Sequence, residues 1–319
     1  MKNIFITGGA GLVGGHVVEE ALRVAPDARI VVLVQALDPR SYFVSSGMKD
    51  RVTLVFGDIR DERTVRDCVF NYEIDTIFHL AAQPIVNVAL ANPRQTLDTN
   101  IMGTVNVLEA ARTSGLVQAV VVASSDKAYG KAKFQPYTED HPLEGLHPYD
   151  VSKSCTDLIA RTYATCYDLP IIVTRFGNIF GPGDLNLNRL VPGAMRALAL
   201  NEDLLIRSDG TLTRDFVYVK DVAYVYVMLA QRAREYGGQA FNCTSGIHKS
   251  VIDMLDTISV AVGQPVPHRI LNEAKHEIPE QALSDQKLRN TFQWKPSIAF
   301  DQAIRDTYEW YKALFSSHL

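Results

Sequence analysis

Short, unbroken apolar runs punctuate the first half of the chain: Ile4–Ile6, Ile30–Val34, Thr53–Phe56, Thr76–Leu80 and Ala119–Ala123. They are continuous rather than alternating, the pattern of strands covered on both faces. A helical pattern near Gly14–Val24, with Val17, Val18, Ala21 and Leu22 on one face, follows the first run. Arg94–Thr113 reads as a long helix between the last two. Strand, helix and strand at this spacing require parallel strands joined by crossover helices. The expected fold is therefore α/β, built on a doubly wound parallel sheet.

The helical pattern resumes around Lys153 and runs to about Asp168, with Val151, Cys155, Leu158, Ile159 and Cys166 on one face. Ile171–Thr174 is another buried strand. Past Gly177 the rhythm breaks into loops. The tail, from about Gln239, mixes short strands with helices at Val251–Val262 and Phe300–Leu314. The expected division is a sheet domain over 1–175, with returns to the sheet later in the chain, and a smaller lobe mainly from 176–319. With 319 residues the chain can bury a core without disulfides or metal staples. Lys+Arg 32 against Asp+Glu 36 gives a net charge of −4, which argues against nucleic acid as the main partner. Cys68, Cys155, Cys166 and Cys243 are scattered, form no CxxC pair, and read as buried free thiols in a reducing compartment. Met1–Thr7 runs straight into glycines and is too short for a signal-peptide core. No apolar run approaches a membrane span. The expectation is a cytoplasmic protein without a membrane partner.

Gly8, Gly11 and Gly14 form a GxxGxxG pattern between the first strand and the first helix. Glycine is required where backbone turns tightly, where it nears a pyrophosphate, and where helix meets strand. The helix N-terminus then offers N–H groups and partial positive charge to phosphates. The loop, including Leu12 and Val13, is thus a candidate dinucleotide cradle. The second strand ends in Val34-Gln35-Ala36-Leu37-Asp38, with no acid for an adenosine ribose and no arginine for a 2′-phosphate. Gln35 can hydrogen-bond a ribose and Asp38 can reach back to it, and on motif grounds NAD and NADP both stay open. After the third strand, Asp58 in Gly57-Asp58-Ile59 either meets an adenine or caps a helix.

Tyr149 and Lys153 stand at i and i+4, on one face of a helix. That spacing lets an ammonium depress the tyrosine pKa from about 10. A tyrosinate can take a proton from a sugar hydroxyl while hydride leaves the same carbon. Ser124-Ser125-Asp126-Lys127 follows the Ala119–Ala123 strand, and the carboxyl ends of parallel strands are where such sheets bind ligands. His79 follows a buried strand and reads as a packed histidine. His141 and His147 flank a loop with no third ligand near, so no metal site is expected.

These residues together resemble the extended short-chain dehydrogenase/reductases, specifically the nucleotide-sugar epimerases and dehydratases, which share a Rossmann fold. The resemblance spans the Gly8–Gly14 loop, His79-Leu80-Ala81-Ala82-Gln83, Asp98-Thr99-Asn100, Ser125 with Tyr149 and Lys153, Arg175–Gly183, and Arg214-Asp215-Phe216. It implies that Ser125 hydrogen-bonds the substrate hydroxyl, that Tyr149 is the base, and that Lys153 holds the nicotinamide ribose and tunes Tyr149. It also implies cofactor contacts at Ile59, Leu80, Ala81 and Ala82, and substrate contacts at Gln83, Asn178, Arg189 and Arg214. For Arg214 the alternative is a salt bridge with an acid. Relatives hold the diphosphate with an Arg-Pro-Gly in the later lobe; here Lys275 or His276 stands nearby instead.

The family's 4-epimerases need little beyond the triad, whereas its 4,6-dehydratases add an acid/base pair directly after the Ser/Thr. Asp126-Lys127 resembles the pair of CDP-glucose 4,6-dehydratases, and an Asp-Lys pair also occurs in UDP-N-acetylglucosamine dehydratases. The expected activity is an NAD-dependent nucleotide-diphosphate-hexose 4,6-dehydratase. The alternatives are a 4-epimerase or 4-reductase and, from another class, a dinucleotide sensor. The helices Arg94–Thr113 and Tyr149–Asp168 match the pair that relatives use to form a homodimer.

Overall fold

The computed structural model describes residues 1–131, 135–273 and 280–316. Its centre is a parallel sheet of seven strands. The first six in sequence are β1 (Asn3–Thr7), β2 (Arg29–Val34), β3 (Thr53–Phe56), β4 (Thr76–His79), β5 (Ala119–Ala123) and β6 (Ile171–Phe176). Their order across the sheet is β3, β2, β1, β4, β5, β6, and a late strand, Ala240–Cys243, adds to the β6 edge. The order reverses between β1 and β4, where Thr7 lies opposite His79. The crevice beyond such a reversal is where open α/β sheets bind ligands.

Side chains alternate between the two faces. Ile4, Ile6, Ile30, Val32 and Val34 join one core, while Phe5, Val31 and Leu33 join the other. Because both faces are covered, no polar residue interrupts Ile4–Ile6 or Ile30–Val34. The first face is covered by the Leu12–Val24 and Val219–Gln231 helices. The second is covered by Glu62–Asn71, Gly103–Ser114 and Pro148–Tyr167.

The stretch past Gly177, expected to be loops, holds two helices, Leu190–Leu200 and Val219–Gln231. The second is apolar around most of its circumference: Val219, Val222, Ala223, Val225, Val227, Leu229 and Ala230 are all buried. Its exposed stripe is narrow, Lys220, Tyr224 and Gln231, and an apolar ring at Tyr224 blurs the contrast with the buried face. The expected Arg94–Thr113 helix is interrupted. Pro93–Leu97 and Gly103–Ser114 are α-helical, and Asp98–Met102 between them is a π-turn. Thr104 and Thr156 hydroxyls donate to the Asn100 carbonyl at 2.6 and 2.9 Å, satisfying an acceptor that the widened turn frees.

The smaller lobe contains β7 (Asn178–Phe180), β8 (Leu204–Ile206), β9 (Thr213–Tyr218), β11 (Ile247–Ser250), β12 (His268–Ile270) and β13 (Glu280–Gln281), with β10 being the sheet strand Ala240–Cys243. β9 pairs antiparallel with β11, and parallel with β13 at its start and β7 at its end. Leu190–Leu200, Val251–Val262 and Phe300–Ser316 pack a separate core beside it. The four cysteines are free thiols, but only Cys68 and Cys243 are buried; Cys166, expected inside, is exposed at the end of the Pro148–Tyr167 helix. No helix among the described residues is long and apolar enough to cross a membrane.

Candidate active site

The loops after β1, β4, β5 and β6 surround a cavity of about 1200 Å³ that reaches into the smaller lobe. Gly8 turns at φ +72°, and a Cβ there would stand 2.7 Å from the Ala81 amide nitrogen. The loops after β1 and β4 therefore touch backbone to backbone. A Cβ on Gly14 would lie 2.1 Å from the Gly8 carbonyl oxygen, so the helix can begin this close to the strand only with glycine. Gly11 is the N-cap of Leu12–Val24 and provides no side-chain cap. The first turn's N–H groups are thus left for a ligand, and the site suits a pyrophosphate.

Gly8, Gly11, Leu12, Val13, Leu80, Ala81 and Ala82 line the cavity. Gln35, Asp58 and Ile59 do not. Gln35 donates to Asp58 at 2.7 Å, and Arg60 clamps the same carboxylate, so the ends of β2 and β3 are tied together at the rim. The cap of the following helix is Asp61, not Asp58. Ile59 is buried, and a Cβ added to Gly103 would stand 2.5 Å from it.

Ser125, Asp126, Lys127, Tyr149 and Lys153 all line one wall of the cavity. Ser125 caps the short Asp126–Tyr129 turn by accepting from the Lys127 amide, and its hydroxyl donates to Asp126 Oδ1 at 2.9 Å. Lys153 Nζ donates to the Ala123 carbonyl at 2.8 Å. Burial pulls the Lys153 ammonium down to about 8. Burial also pushes the Tyr149 phenol up to about 12; Ser125 and Arg189 pull it down, while Asp126 and Asp150 push it further up. This differs from the expectation that Lys153 depresses it. The ammonium is turned to Ala123, and water is withdrawn from the phenolate.

Behind this wall, His79 bridges Thr7 and Thr104 at 2.8 and 2.9 Å, and burial brings it down to about 3, so it is neutral. Gln83 lies outside the cavity lining. Its amide donates to Thr96 at 2.9 Å, and its backbone N–H donates to Asn100 at 2.7 Å. Asn100 in turn donates to Ser152 at 2.8 Å, so the π-turn anchors the helix that carries Tyr149. Arg175 is wholly buried, forked onto Asp157 at 2.7 and 2.8 Å and donating to the Tyr129 hydroxyl at 2.7 Å.

On the lobe side, Asn178, Arg189 and Arg214 line the cavity. Arg189 is steadied by Asp184 at 3.0 Å, and Arg214 donates to the Thr213 carbonyl at 2.7 Å. Asp215, beside Arg214, points away and accepts from Leu283 N–H and His248. Lys275 and His276 lie outside the described residues. Gln281 and Asp150 escaped the sequence reading: Gln281 accepts from Lys127, and Asp150 is buried close enough to feel its charge. Gln281 belongs to no local motif, and Asp150 lies within the Tyr149–Lys153 spacing, which marks only its two ends. Among the described residues no group of side chains could hold a metal ion.

The model of the GDP-mannose 4,6 dehydratase family matches residues 5–307. A trifunctional UDP-glucose 4,6-dehydratase, 3,5-epimerase and reductase from Arabidopsis thaliana is 30% identical over 316 residues, 92% of this chain and 47% of its own. The chain thus spans about half the length of that relative. A CDP-glucose 4,6-dehydratase from Salmonella typhimurium is 30% identical over 250 residues, covering 75% of this chain and 68% of its own. Among solved structures, a UDP-glucose 4-epimerase from Stenotrophomonas maltophila with bound NAD superposes with a TM-score of 0.90 at 25% identity, over 99% of this chain and 100% of that one.

Proposed function

The chain belongs to the GDP-mannose 4,6 dehydratase family, and from that premise we propose that it is an NAD-dependent nucleotide-diphosphate-hexose 4,6-dehydratase acting on a CDP-glucose-like substrate. The observation that carries this reading is the Asp126-Lys127 pair, set beside Ser125 and on the same cavity wall as Tyr149. Epimerisation at C4 has no use for a second acid and base. Elimination of water across C5 and C6 requires both.

The glycine loop fits the cofactor: Gly8, Gly11, Leu12 and Val13 would hold its pyrophosphate, and Leu80, Ala81 and Ala82 line the adjoining wall. Tyr149 and Lys153 would hold the nicotinamide ribose, while Gln35 and Asp58, tied together at the rim, and Ile59 would meet the adenosine end. When bound, NAD supplies the acceptor for the C4 hydride, its return to C6, and positive charge beside the phenol. Tyr149 takes the C4 hydroxyl proton, and Ser125 fixes that hydroxyl by hydrogen bonding. The C4 ketone acidifies the C5 proton. One of Asp126 and Lys127 removes that proton, and the other protonates the departing C6 hydroxyl, which leaves as water. The C5 proton is restored at the end, giving a 4-keto-6-deoxy sugar. Asn178, Arg189 and Arg214 grip the sugar and diphosphate, since guanidinium forks suit phosphate oxygens.

A homodimer is part of the same proposal. The Pro148–Tyr167 helix buries polar residues such as Ser152, Lys153, Thr156 and Asp157, while Leu158 is 51% exposed. Met102, Val86 and Leu90 are exposed nearby in sequence or fold. Light scattering at micromolar concentration tests it; a monomer would remove it.

The activity is tested by incubating the protein with nucleotide-diphosphate hexoses, CDP-glucose first, in deuterated water. The expected product shows the alkali-labile absorbance of a 4-keto-6-deoxy sugar and carries deuterium at C5. An epimer without deuterium would reject the dehydratase reading.

A further inference from the structure

The amine of the elimination pair is held from the far end of the chain. Lys127 Nζ donates to the side-chain oxygen of Gln281, 154 residues later. Gln281 sits on β13, which runs beside Thr213 and Arg214 at the start of β9, so the lobe reaches back over the loop that follows β5. An ammonium has donors only, so the carboxamide must turn its oxygen toward Lys127. The opposite end of the amide, Nε2, is then buried with no partner among the described residues. Buried polar groups are nearly always paired, and an exception calls for a reason.

The surrounding charges sharpen the point. Asp126 is hydrogen-bonded to Ser125. Asp150, on the first turn of Pro148–Tyr167, feels the Lys127 charge, and burial pushes its carboxyl above the usual range. Asp215 is committed to Leu283 and His248, and Glu280 to His248 at 3.4 Å. Tyr149 and Arg214 complete the polar wall. Lys127 thus gives its hydrogen bond to a neutral amide oxygen, although the Asp150 carboxyl is near enough to feel its charge.

We propose that Gln281 is a positioning residue for the elimination: its uncharged oxygen fixes the Lys127 amine at the cavity wall and leaves that amine free to exchange its proton. A carboxylate of the same length would fix it equally well but lock the proton on. The inference rests on the dehydratase reading and deepens it.

Gln281→Glu is the direct test. In the dehydratase assay, the pH-profile limb belonging to Lys127 should move upward by about one unit or more, and kcat at pH 7 should fall at least about tenfold, with KM changed less than about threefold. Gln281→Leu, which removes the oxygen without adding charge, should lower kcat without that upward shift. If Gln281→Glu does not fold, an unchanged kcat in Gln281→Leu overturns the proposal alone. The Lys127 titration can also be followed without turnover, by NMR of lysine Cε assigned through its loss in Lys127→Arg. A titration unmoved in Gln281→Glu overturns the inference whatever the enzyme produces. A wild-type protein that releases only an epimer overturns the reading beneath it instead.

Discussion

Lys153 Nζ donates to the Ala123 carbonyl oxygen at 2.8 Å, pinning the helix that carries Tyr149 to the end of β5. The Ser124 hydroxyl donates to the Lys153 carbonyl at 3.3 Å from the same strand end. Helix and strand are thereby cross-tied where the chemistry is placed, and the tie is made with a buried ammonium.

That ammonium costs stability. In the fold it titrates at about 8, below the ordinary lysine value of 10.5. Between those values the unfolded chain binds more protons, so the contribution falls as pH drops through that window and stays low beneath it. At roughly 1.4 kcal/mol per pH unit the cost is about 3 kcal/mol at pH 7, offset by about 1 kcal/mol for the bond to Ala123. Lys153→Met should therefore be inactive yet more stable than wild type at pH 7, by about 2 kcal/mol, with the difference shrinking by pH 10.5. Urea melts across that range check it; a variant less stable at every pH contradicts it.

Tyr149→Phe removes the hydroxyl alone. Turnover should drop by about 10²–10⁴, the usual worth of a positioned acid or base. Affinity for NAD, measured by fluorescence quenching, should fall by about tenfold at most, far less than turnover, because Lys153 would still hold the ribose. Retained turnover would mean that another group takes the C4 proton.

Arg175 and Asp157 form a fully buried pair beneath the site. Removing one partner strands the other charge, so Arg175→Met should cost about 3–5 kcal/mol. Replacing both, as Arg175→Met with Asp157→Leu, should recover part of that loss. Arg175 also donates to the Tyr129 hydroxyl and, at 3.2 Å, to the Glu139 carbonyl; a double variant as unstable as the sum of the singles would show that these, rather than Asp157, are what Arg175 serves.

His79 adds an acid-side dependence. Burial lowers it from 6.5 to about 3. The unfolded chain takes up the proton first, so stability is complete above 6.5 and declines as pH falls toward 3. Between pH 6.5 and 4.5 wild type should lose about 1.4 kcal/mol per unit from this group. His79→Gln, able to bond Thr7 and Thr104, should lose correspondingly less, as thermal melts at the two pH values will show.

The strands of the sheet are legible in the sequence because residues covered on both faces leave unbroken runs, as in Ala119–Ala123. The glycine loop, Ser125, Tyr149 and Lys153 are legible because their chemistry depends on local spacing. Val219–Gln231 is not, since its exposed stripe is narrow and carries Tyr224 and Met228, which read like the buried face. Gln281 is not, because its contact with Lys127 is made by tertiary packing alone. The tuning of Tyr149 is hidden too. The i, i+4 spacing places Lys153 on the same helix face, but burial and the turn of its amine toward Ala123 set the outcome.

The late strand Ala240–Cys243 and the Val219–Gln231 helix complete the sheet and its cover from within the second half of the sequence. Lobe grafting between relatives must respect this interleaving. A cassette cut after β6 would carry away one edge of the sheet and half the cover of one face, so a chimaera aimed at a new sugar nucleotide has to leave residues 219–243 with their host.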